Sequence, residues 1–409
     1  MSFYSSGDIK SELIEPSVHN PGDRSEFRIR GDVLSSLKLL NVGLFGAATD
    51  YLDDVGAMGC IRAMYLYDGK TLLTGLRHFN EHMAFKAIKG SNQENAELDR
   101  LLKVHNIGYT TGYDASDTLF AKQTFIKNEN TGNVSGTDAV DNQKRAYLSL
   151  AECFNMLQQV PLLTDKVFPQ LRLVLEYERT AQRKQKATNV ASQNCRPLLA
   201  VDRIMNPKIT MGMLSSIKSV SWIDHEQETI QVPAAAADVV SQTVKKLLGF
   251  QGKTIGRVRV SKAFQDPALN EAANAVVGYG PYSSLQGFQE KFQLRVNGRG
   301  LFPRGGVEGS NRNLAMITDS YGSLNLKEDD VMVLHADAPE MDPAKRGTKS
   351  YLGCIVSEKI MDLQIEYSRT GKTDTTAASK YNSPLNISVE CEVSKMLTFS
   401  QGTYLIGYN

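Results

Sequence analysis

The segment LVLEYERT at residues 173–180 returns as LQIEYSRT at residues 363–370, an offset of 190 positions along the chain. Apolar and polar residues alternate through much of both copies, the pattern of a β-strand with one buried face. About twenty residues after the end of each copy comes a second pair, VDRIM at 201–205 and VSKML at 393–397. Two pairs in the same order predict two structurally similar halves of about 200 residues each, a period far too long for a solenoid.

Two further pairs lie upstream and keep the same order. LYDGKTL at 66–72 resembles LRVNGRGL at 294–301, and GDVLSSLKL at 31–39 resembles GKTIGRVRV at 252–260. Each match alone is short enough to arise by chance, but four pairs in the same order indicate an internal duplication. Because the repeated pieces have the pattern of strands, the two halves are predicted to share a sheet core.

The halves differ in the length of one connection. From Gly69 to Glu176 there are 107 residues, whereas the matching step from Gly298 to Glu366 takes 68. The first half therefore carries about 39 extra residues. Insertions of this kind are tolerated in surface loops that leave the sheet core untouched.

These lengths predict three regions. Residues 1–26 are polar and contain proline and glycine, which is typical of an N-terminal arm. Residues 27–212 form the first domain, with an insertion at about 84–145 that holds a predicted helix and an exposed loop rich in Asn and Gly. Residues 213–409 form the second domain.

Short apolar runs separated by glycine turns dominate both halves and predict a mainly β fold. In the second half, residues 219–233 are predicted to form a strand that carries the single tryptophan, Trp222, and residues 385–408 to form two strands around a turn at 400–402. Residues 234–248 are instead predicted to form a helix. The few helices are placed in loops and insertions outside the sheet core.

The bulk composition is that of an ordinary globular protein, with 41% hydrophobic and 22% charged residues among 409. Lysine and arginine total 46, and aspartate and glutamate total 45, for a net charge of +1. This balance argues against direct nucleic-acid binding, which normally needs a basic surface, and favours association between copies. The five cysteines include no C-x-x-C pair, which favours a reducing compartment.

The paired strands at 173–180 and 363–370, the segment FQLRVNG at 292–298 and the closing strands between 389 and 408 together resemble the double jelly-roll major capsid proteins. These proteins build tailless icosahedral DNA viruses of the adenovirus and tailless-phage lineage, including virophage-like and polinton-like elements. The resemblance covers most of the chain as a pattern. It implies two consecutive eight-stranded jelly-roll sandwiches with short helices in loop insertions.

The resemblance also implies a structural, non-enzymatic capsid protein of the virion, without cofactors and without catalytic, cofactor-binding or metal-binding residues. Three copies would form a pseudo-hexameric homotrimer, because three chains of two rolls present six similar units. The implied partners are other copies of the chain, neighbouring capsomers and minor capsid or penton proteins, with no direct contact to nucleic acid. A minor capsid or penton-type role is an alternative that the sequence alone hardly separates from the major one.

A second resemblance points to an enzyme. The segment His78-Phe79-Asn80-Glu81-His82 has the H-x-x-E-H pattern of inverzincins and resembles the zinc-site helix of pitrilysin-type peptidases. On a helix, His78 and His82 lie one turn apart and can bind one zinc ion, while Glu81 can activate the bound water. Those peptidases also contain two related halves, so a zinc metallopeptidase is the alternative to the capsid interpretation.

Two features weigh against the peptidase. Its third zinc ligand should be a glutamate in an acidic helix downstream, and Glu152, 70 residues after His82, lacks acidic companions. The second half should be rich in helices, whereas residues 385–408 have the pattern of strands. In the capsid interpretation His78 and His82 are loop or interface histidines, and His225 is a surface histidine or a satisfied buried one.

Overall fold

The fold is described from a computed structural model of the chain. The described residues are 8–40, 61–79, 82, 147–177, 197–216, 219–265, 290–302, 319–320, 352–371, 382–400 and 403–408. The predicted insertion at 84–145 lies outside them. Within these ranges, no helix combines the length and the hydropathy that crossing a membrane requires.

The described part of the first half is built from short strands joined by turns. Its strands are β1 (Ile9–Ile14), β2 (Val18–Asn20), β3 (Arg24–Arg28), β4 (Val33–Leu34), β5 (Lys38–Leu40), β6 (Ile61–Asp68), β7 (Thr71–Leu76), β8 (Tyr147–Ser149), β9 (Leu162–Leu163), β10 (Leu171–Tyr177) and β11 (Leu198–Ile204). Among the described residues before 219, the helical elements include a 3-10 turn (Leu150–Glu152), α1 (Asn155–Gln159) and α2 (Pro207–Ser216).

The second half contains the longest strands of the described chain. Its strands are β12 (Ser219–Val232), β13 (Val240–Lys246), β14 (Thr254–Phe264), β15 (Glu290–Val296), β16 (Arg299–Gly300), β17 (Leu352–Lys359), β18 (Leu363–Thr370), β19 (Leu385–Ser400) and β20 (Thr403–Tyr408). A 3-10 turn spans Leu248–Phe250. The predicted strand at 219–233 and the two predicted strands at 385–408 are thereby confirmed.

Each half forms two sheets. In the first half, one sheet has the order β8-β5-β11-β4-β9 with β1 also on β11, and the other has the order β2-β3-β10-β6-β7. In the second half, one sheet has the order β12-β19-β14-β17 with β20 also on β19, and the other has the order β13-β18-β15-β16. The named strands pair antiparallel throughout.

The four sequence repeats occupy equivalent places in the two halves. Strand β10 lies between β3 and β6, and its repeat β18 lies between β13 and β15. In the opposite sheets, β11 pairs with β4 and β5, and its repeat β19 pairs with β14, the strand that matches β4 and β5 in sequence. The internal duplication predicted from the sequence is therefore confirmed in the topology of the sheets.

Each half encloses its own hydrophobic core between its two sheets. The first core includes Phe27, Leu66 and Leu173 from one sheet and Val33 and Leu199 from the other. The second core includes Phe292, Leu294 and Ile365 from one sheet and Val258 and Val389 from the other. Removing these apolar side chains from water is the main force that holds each pair of sheets together. The mainly β fold of two consecutive jelly-roll sandwiches, here called the first and second roll, is confirmed.

Two local features differ from the sequence-based expectation. Part of the predicted arm at 1–26 lies in the first roll, because β1 pairs with β11 and β2 pairs with β3. The domain boundaries at 27, 212 and 213 otherwise remain predictions. The predicted helix at 234–248 is wrong, because Val240–Lys246 forms strand β13 along β18. Its valines fit a pleated surface, and pairing with β18 outweighs the helix preference of the alanines before it.

A two-residue turn follows the equivalent strands β6 and β15. In the second roll, Val296 pairs with Arg299, and Asn297 and Gly298 between them have φ angles of 51° and 80°. Two positive φ angles are what a type I′ hairpin turn requires, and Asn-Gly is its preferred pair. Gly69 begins the matching turn of the first roll with a φ of 57°. The backbone at Gly69 and Gly298 therefore requires a positive φ angle, which glycine adopts without strain.

Replacing Gly298 with alanine is expected to lower the free energy of unfolding by about 1–2 kcal/mol, because an L residue is strained in the left-handed region. A Cβ at this position would meet no atom within 4 Å, so the cost is conformational and not steric. Gly407→Ala is the matched control, since its Cβ is equally free and its φ lies outside the left-handed region. Urea unfolding measures both variants, and equal stabilities would contradict the prediction.

Candidate functional site

The junction between the two rolls carries a row of polar side chains on the second roll. Gln227 on β12, Glu390 on β19 and Arg259 on β14 lie side by side across three neighbouring strands. Val389 and Cys391, the chain neighbours of Glu390, point into the second core, so Glu390 points to the opposite face of the sheet. Glu390 and Arg259 are nevertheless buried, which means that another part of the chain covers this face.

The covering element is a helical turn of the first roll that follows β7. The backbone N–H of His82 donates to the carbonyl oxygen of His78 at 3.0 Å, which closes the turn. The backbone N–H of His78 donates to Oε1 of Gln227 at 2.7 Å. These bonds hold the turn against the polar row of the second roll.

Three side chains that can bind a metal meet beneath this turn. His82 Nδ1 lies 3.1 Å from Glu390 Oε1, and His225 Nδ1 lies 3.4 Å from the same oxygen. The three ligand atoms all lie within 4.8 Å of one another. The centroids of the two imidazole rings are 4.6 Å apart. His82 belongs to the first roll and the other two residues belong to the second, so the cluster spans the junction.

The surroundings set the charge states of this cluster. Arg259 Nη2 and Gln227 Nε2 both donate to Glu390 Oε2. Burial alone would raise the pKa of Glu390, but the charge of Arg259 and the ring nitrogens of the two histidines outweigh it and hold that pKa well below its ordinary value. Burial lowers the pKa of His82 to about 4, although Glu390 opposes this shift. His82 is therefore neutral at pH 7, and neutral imidazole is the form that offers a lone pair to a metal.

The ligand set predicted for a zinc peptidase is not formed by the described residues. His78 and His82 lie one helical turn apart as the motif predicts, but His78 Nε2 lies 2.7 Å from Thr229 Oγ1 and has its own partner there. The group of described residues that could share a metal includes neither His78 nor Glu152. Glu81 lies outside the described residues. The inverzincin alternative is not supported by this geometry.

Sequence reasoning alone misses two residues of the cluster. Glu390 stands in the segment VECEV at 389–393, and His225 stands inside the strand that carries Trp222. The alternation in VECEV is the one local signal, because it places the two glutamates on the face of the strand opposite the valines. A carboxylate that is buried on that face needs polar or charged partners. The pairing of β12 with β19, which brings His225 to Glu390, leaves no local pattern in the sequence.

A second buried polar cluster joins the two rolls. Lys395 Nζ donates to Asp224 Oδ2 at 2.6 Å and lies 3.0 Å from Glu226 Oε1. Thr74 of the first roll donates to Asp224 Oδ1 at 2.7 Å, and the Tyr408 hydroxyl donates to Glu226 Oε1 at 3.0 Å. Burial opposes the charge on Lys395, but Asp224 and Glu226 outweigh it and raise the pKa of the lysine. The lysine is therefore charged and paired at the junction.

Apolar packing and two further hydrogen bonds complete the junction. Trp222 on β12 and Leu397 on β19 pack into the core of the first roll. The Tyr404 hydroxyl donates to Asp68 Oδ2 at 2.8 Å, and Asn155 Nδ2 donates to the carbonyl oxygen of Ile223 at 2.8 Å. The two long strands of the second roll thus extend into the first roll and tie the two sandwiches together.

Solved structures match the chain along nearly its whole length, whereas no family model and no curated protein sequence matches it. VP54 of PBCV-1, fitted into a cryo-EM reconstruction of the virophage Sputnik, is similar with a TM-score of 0.57 and 13% identity, covering 100% of this chain and 99% of that chain. A chain of the cryo-EM structure of the Sputnik virophage is similar with a TM-score of 0.56 and 9% identity, covering 100% and 90%. The Faustovirus major capsid protein is similar with a TM-score of 0.53 and 8% identity, covering 96% and 90%.

These similarities show a shared fold that extends over both rolls. The resemblance to major capsid proteins drawn from the repeated strands is confirmed at the level of the fold. Identities of 8% to 13% show the fold and do not by themselves assign a role to the chain.

Proposed function

We propose that this chain is a structural subunit of an icosahedral viral capsid and serves there as the major capsid protein. The observation that carries the proposal is the similarity of the two rolls together to a major capsid protein, over 96% of this chain. A match to one roll would be far less specific, because single jelly rolls serve many functions. The location that follows from the proposal is the virion.

The duplicated fold suits a shell built from trimers. Three chains of two rolls present six similar units around one threefold axis, and closed symmetry of this kind gives a finite block. Such a block needs a fixed angle between the rolls of each chain. The junction supplies this through the packing of Trp222 and Leu397 and through the buried pair of Lys395 and Asp224. A pseudo-hexameric homotrimer is therefore the proposed assembly.

A non-enzymatic role is part of the same proposal. The similar structures include a major capsid protein, and the described part of the chain does not assemble the zinc-peptidase ligand set. The proposed partners are other copies of the chain, neighbouring capsomers and minor capsid or penton proteins. The net charge of +1 gives no reason to expect direct contact with nucleic acid.

The oligomeric mass tests the proposal directly. Three chains of 45.1 kDa give a trimer of about 135 kDa, which light scattering on the purified full chain can measure. We expect electron micrographs of the same sample to show particles with a pseudo-hexagonal outline. A chain that stays monomeric at every concentration would contradict the proposed assembly. Peptide cleavage that disappears in a His82→Ala variant would instead favour the peptidase.

The edge of the second roll is a candidate contact between copies. Among the described strands, β13 lies at one edge of its sheet. Val240 on this strand and Leu248 just after it are 67% and 71% exposed. Natural proteins rarely leave an apolar sheet edge uncovered, because it invites pairing with other chains. We therefore infer that a neighbouring copy covers this edge in the trimer.

Replacing Val240 with glutamate is expected to weaken the trimer at least about tenfold, equivalent to about 1.4 kcal/mol, because a carboxylate would be desolvated in the contact. The fold of the subunit should be unchanged, since the side chain is exposed within one chain. Dilution followed by light scattering measures the effect. Met211→Glu is the matched control, because Met211 is a 56% exposed apolar residue on the first roll. Equal weakening by both variants would contradict a specific role for the β13 edge.

A further inference from the structure

We propose that His82, His225 and Glu390 form a zinc-binding site that clamps the two rolls together. This inference depends on the fold and not on the capsid role. The same three side chains would bind the ion whether or not the protein assembles into a shell. Its test can therefore fail while the proposed trimer stands, and the reverse also holds.

Both distances from the carboxylate to the histidines fit a tetrahedral zinc ion. Zinc binds imidazole nitrogen and carboxylate oxygen at about 2.0–2.2 Å, so neighbouring ligand atoms lie about 3.3–3.6 Å apart. The two distances from Glu390 Oε1, 3.1 Å to His82 Nδ1 and 3.4 Å to His225 Nδ1, are close to this spacing. The three ligand atoms all lie within 4.8 Å of one another, so the two histidine nitrogens need to approach each other by at most about 1.5 Å to bind one ion.

His225 supplies a second observation that supports the site. Its Nδ1 is buried and has no hydrogen-bond partner among the described residues, although it lies 3.4 Å from Glu390 Oε1. A buried polar atom without a partner carries a free-energy cost and is uncommon in native proteins. A cation between this nitrogen and the carboxylate oxygen would remove that cost.

The groups behind the ligands orient the carboxylate for this role. Arg259 and Gln227 both donate to Glu390 Oε2, which leaves Oε1 facing the two histidines. Hydrogen bonds of this kind fix ligand orientation in metal sites, and their loss typically weakens metal binding about 10–100-fold. The other charged groups near the cluster include the guanidinium of Arg259 and the pair formed by Arg257 and Glu392, whose Nη1 and Oε1 atoms are 3.7 Å apart. A set of one carboxylate oxygen and two imidazoles favours zinc over calcium or magnesium, which need more oxygen ligands.

The position of the site predicts a structural role for the ion. One ligand comes from the first roll and two from the second, so a bound ion would link residues 308 positions apart in the chain. The side chain of His225 is 19% exposed, which leaves a path for a water molecule to the fourth coordination position. Zinc that binds only the folded state stabilises that state by mass action. We therefore expect zinc to raise the melting temperature of the full chain.

The experiment uses the purified full chain, stripped with a chelator and then dialysed against zinc. We expect about one zinc ion per chain by elemental analysis and a higher melting temperature with zinc than without it. His225→Ala should weaken zinc binding at least about 100-fold. His78→Gln is the matched control, because His78 sits one turn from His82 but pairs with Thr229, and it should bind zinc as the natural chain does.

Two results would overturn the proposal. The natural chain could bind no zinc at saturating concentration, or His225→Ala could bind zinc unchanged. If His78→Gln also loses zinc in the second case, the ion belongs to the H-x-x-E-H motif. If His225→Ala does not fold, cobalt on the natural chain decides. Strong visible absorption of a tetrahedral cobalt site with nitrogen ligands supports the proposal, and weak octahedral absorption overturns it.

Discussion

Replacing Asp224 with alanine is expected to destabilise the protein by about 3–5 kcal/mol, because it leaves the ammonium group of Lys395 buried without its carboxylate. The side chains of Lys395 and Asp224 are only 5% and 6% exposed, and the Nζ–Oδ2 distance is 2.6 Å. Thr74 of the first roll loses its acceptor in the same variant. Glu226 stays 3.0 Å from Lys395 and places the expected loss at the lower end of the range. The urea midpoint and the melting temperature measure the effect.

A second lysine–aspartate pair provides the control. Lys246 and Asp362 are 3.3 Å apart, with side chains 61% and 38% exposed, so Asp362→Ala should cost no more than about 1 kcal/mol. The double variant Asp224→Ala with Lys395→Met removes both buried charges and should recover much of the loss, because no unpaired charge remains. Equal losses for the two single aspartate variants would show that burial does not set the energy of the Asp224 pair.

The sheet core could be predicted because its strands carry their burial pattern in the sequence. In β18 the buried residues Leu363, Ile365 and Tyr367 alternate with the less buried Gln364 and Glu366. Its repeat β10 follows the same pattern, except that Val174, on the opposite face of the strand, is also buried. Alternation is a local property, so it survives without knowledge of which strand pairs with which. The shared order of the repeated segments then predicts two structurally similar halves.

The helix predicted at 234–248 is wrong because, at these residues, the local sequence pattern does not determine the structure. Four alanines at 234–237 favour a helix locally, and the valines that follow are compatible with either state. The strand forms because Val240–Lys246 completes hydrogen bonds along the whole length of β18. Residue preferences of a few tenths of a kcal/mol per position cannot compete with such a pairing. Tertiary contacts of this kind are invisible to a window of ten residues.

The candidate metal cluster shows the same limit. The H-x-x-E-H pattern identifies His82 and places His78 one turn before it, and the structure contains that turn. A helical motif describes only neighbours at positions i and i+4, whereas the contact of His82 with Glu390 joins residues 308 positions apart. The motif therefore identifies one member of the candidate cluster, and it pairs that residue with His78 instead of with His225 and Glu390. His225 and Glu390 come together because β12 and β19 pair over fourteen positions of register.

Replacing Trp222 with alanine is expected to cost about 3–5 kcal/mol, because it opens a cavity where the two rolls share a core. Trp222 belongs to β12 of the second roll, yet it is buried in the first core together with Leu397. The loss should therefore weaken the first roll and its attachment to the second at the same time. We expect the two rolls of this variant to unfold at separate urea concentrations, since multidomain chains lose cooperativity when their interface is weakened.

Two further variants isolate the junction as the cause. Trp222→Phe should cost less than about 1.5 kcal/mol, because the indole N–H is buried without a hydrogen-bond partner among the described residues and phenylalanine keeps most of the packing. Phe292→Ala in the second core should cost about 3–5 kcal/mol but leave the native fluorescence of Trp222 unchanged. Because Trp222 is the only tryptophan of the chain, its emission reports on the junction alone. A Trp222→Ala variant as stable as Trp222→Phe would mean that the indole does not support the first core, and the rolls would then be joined by the buried polar clusters.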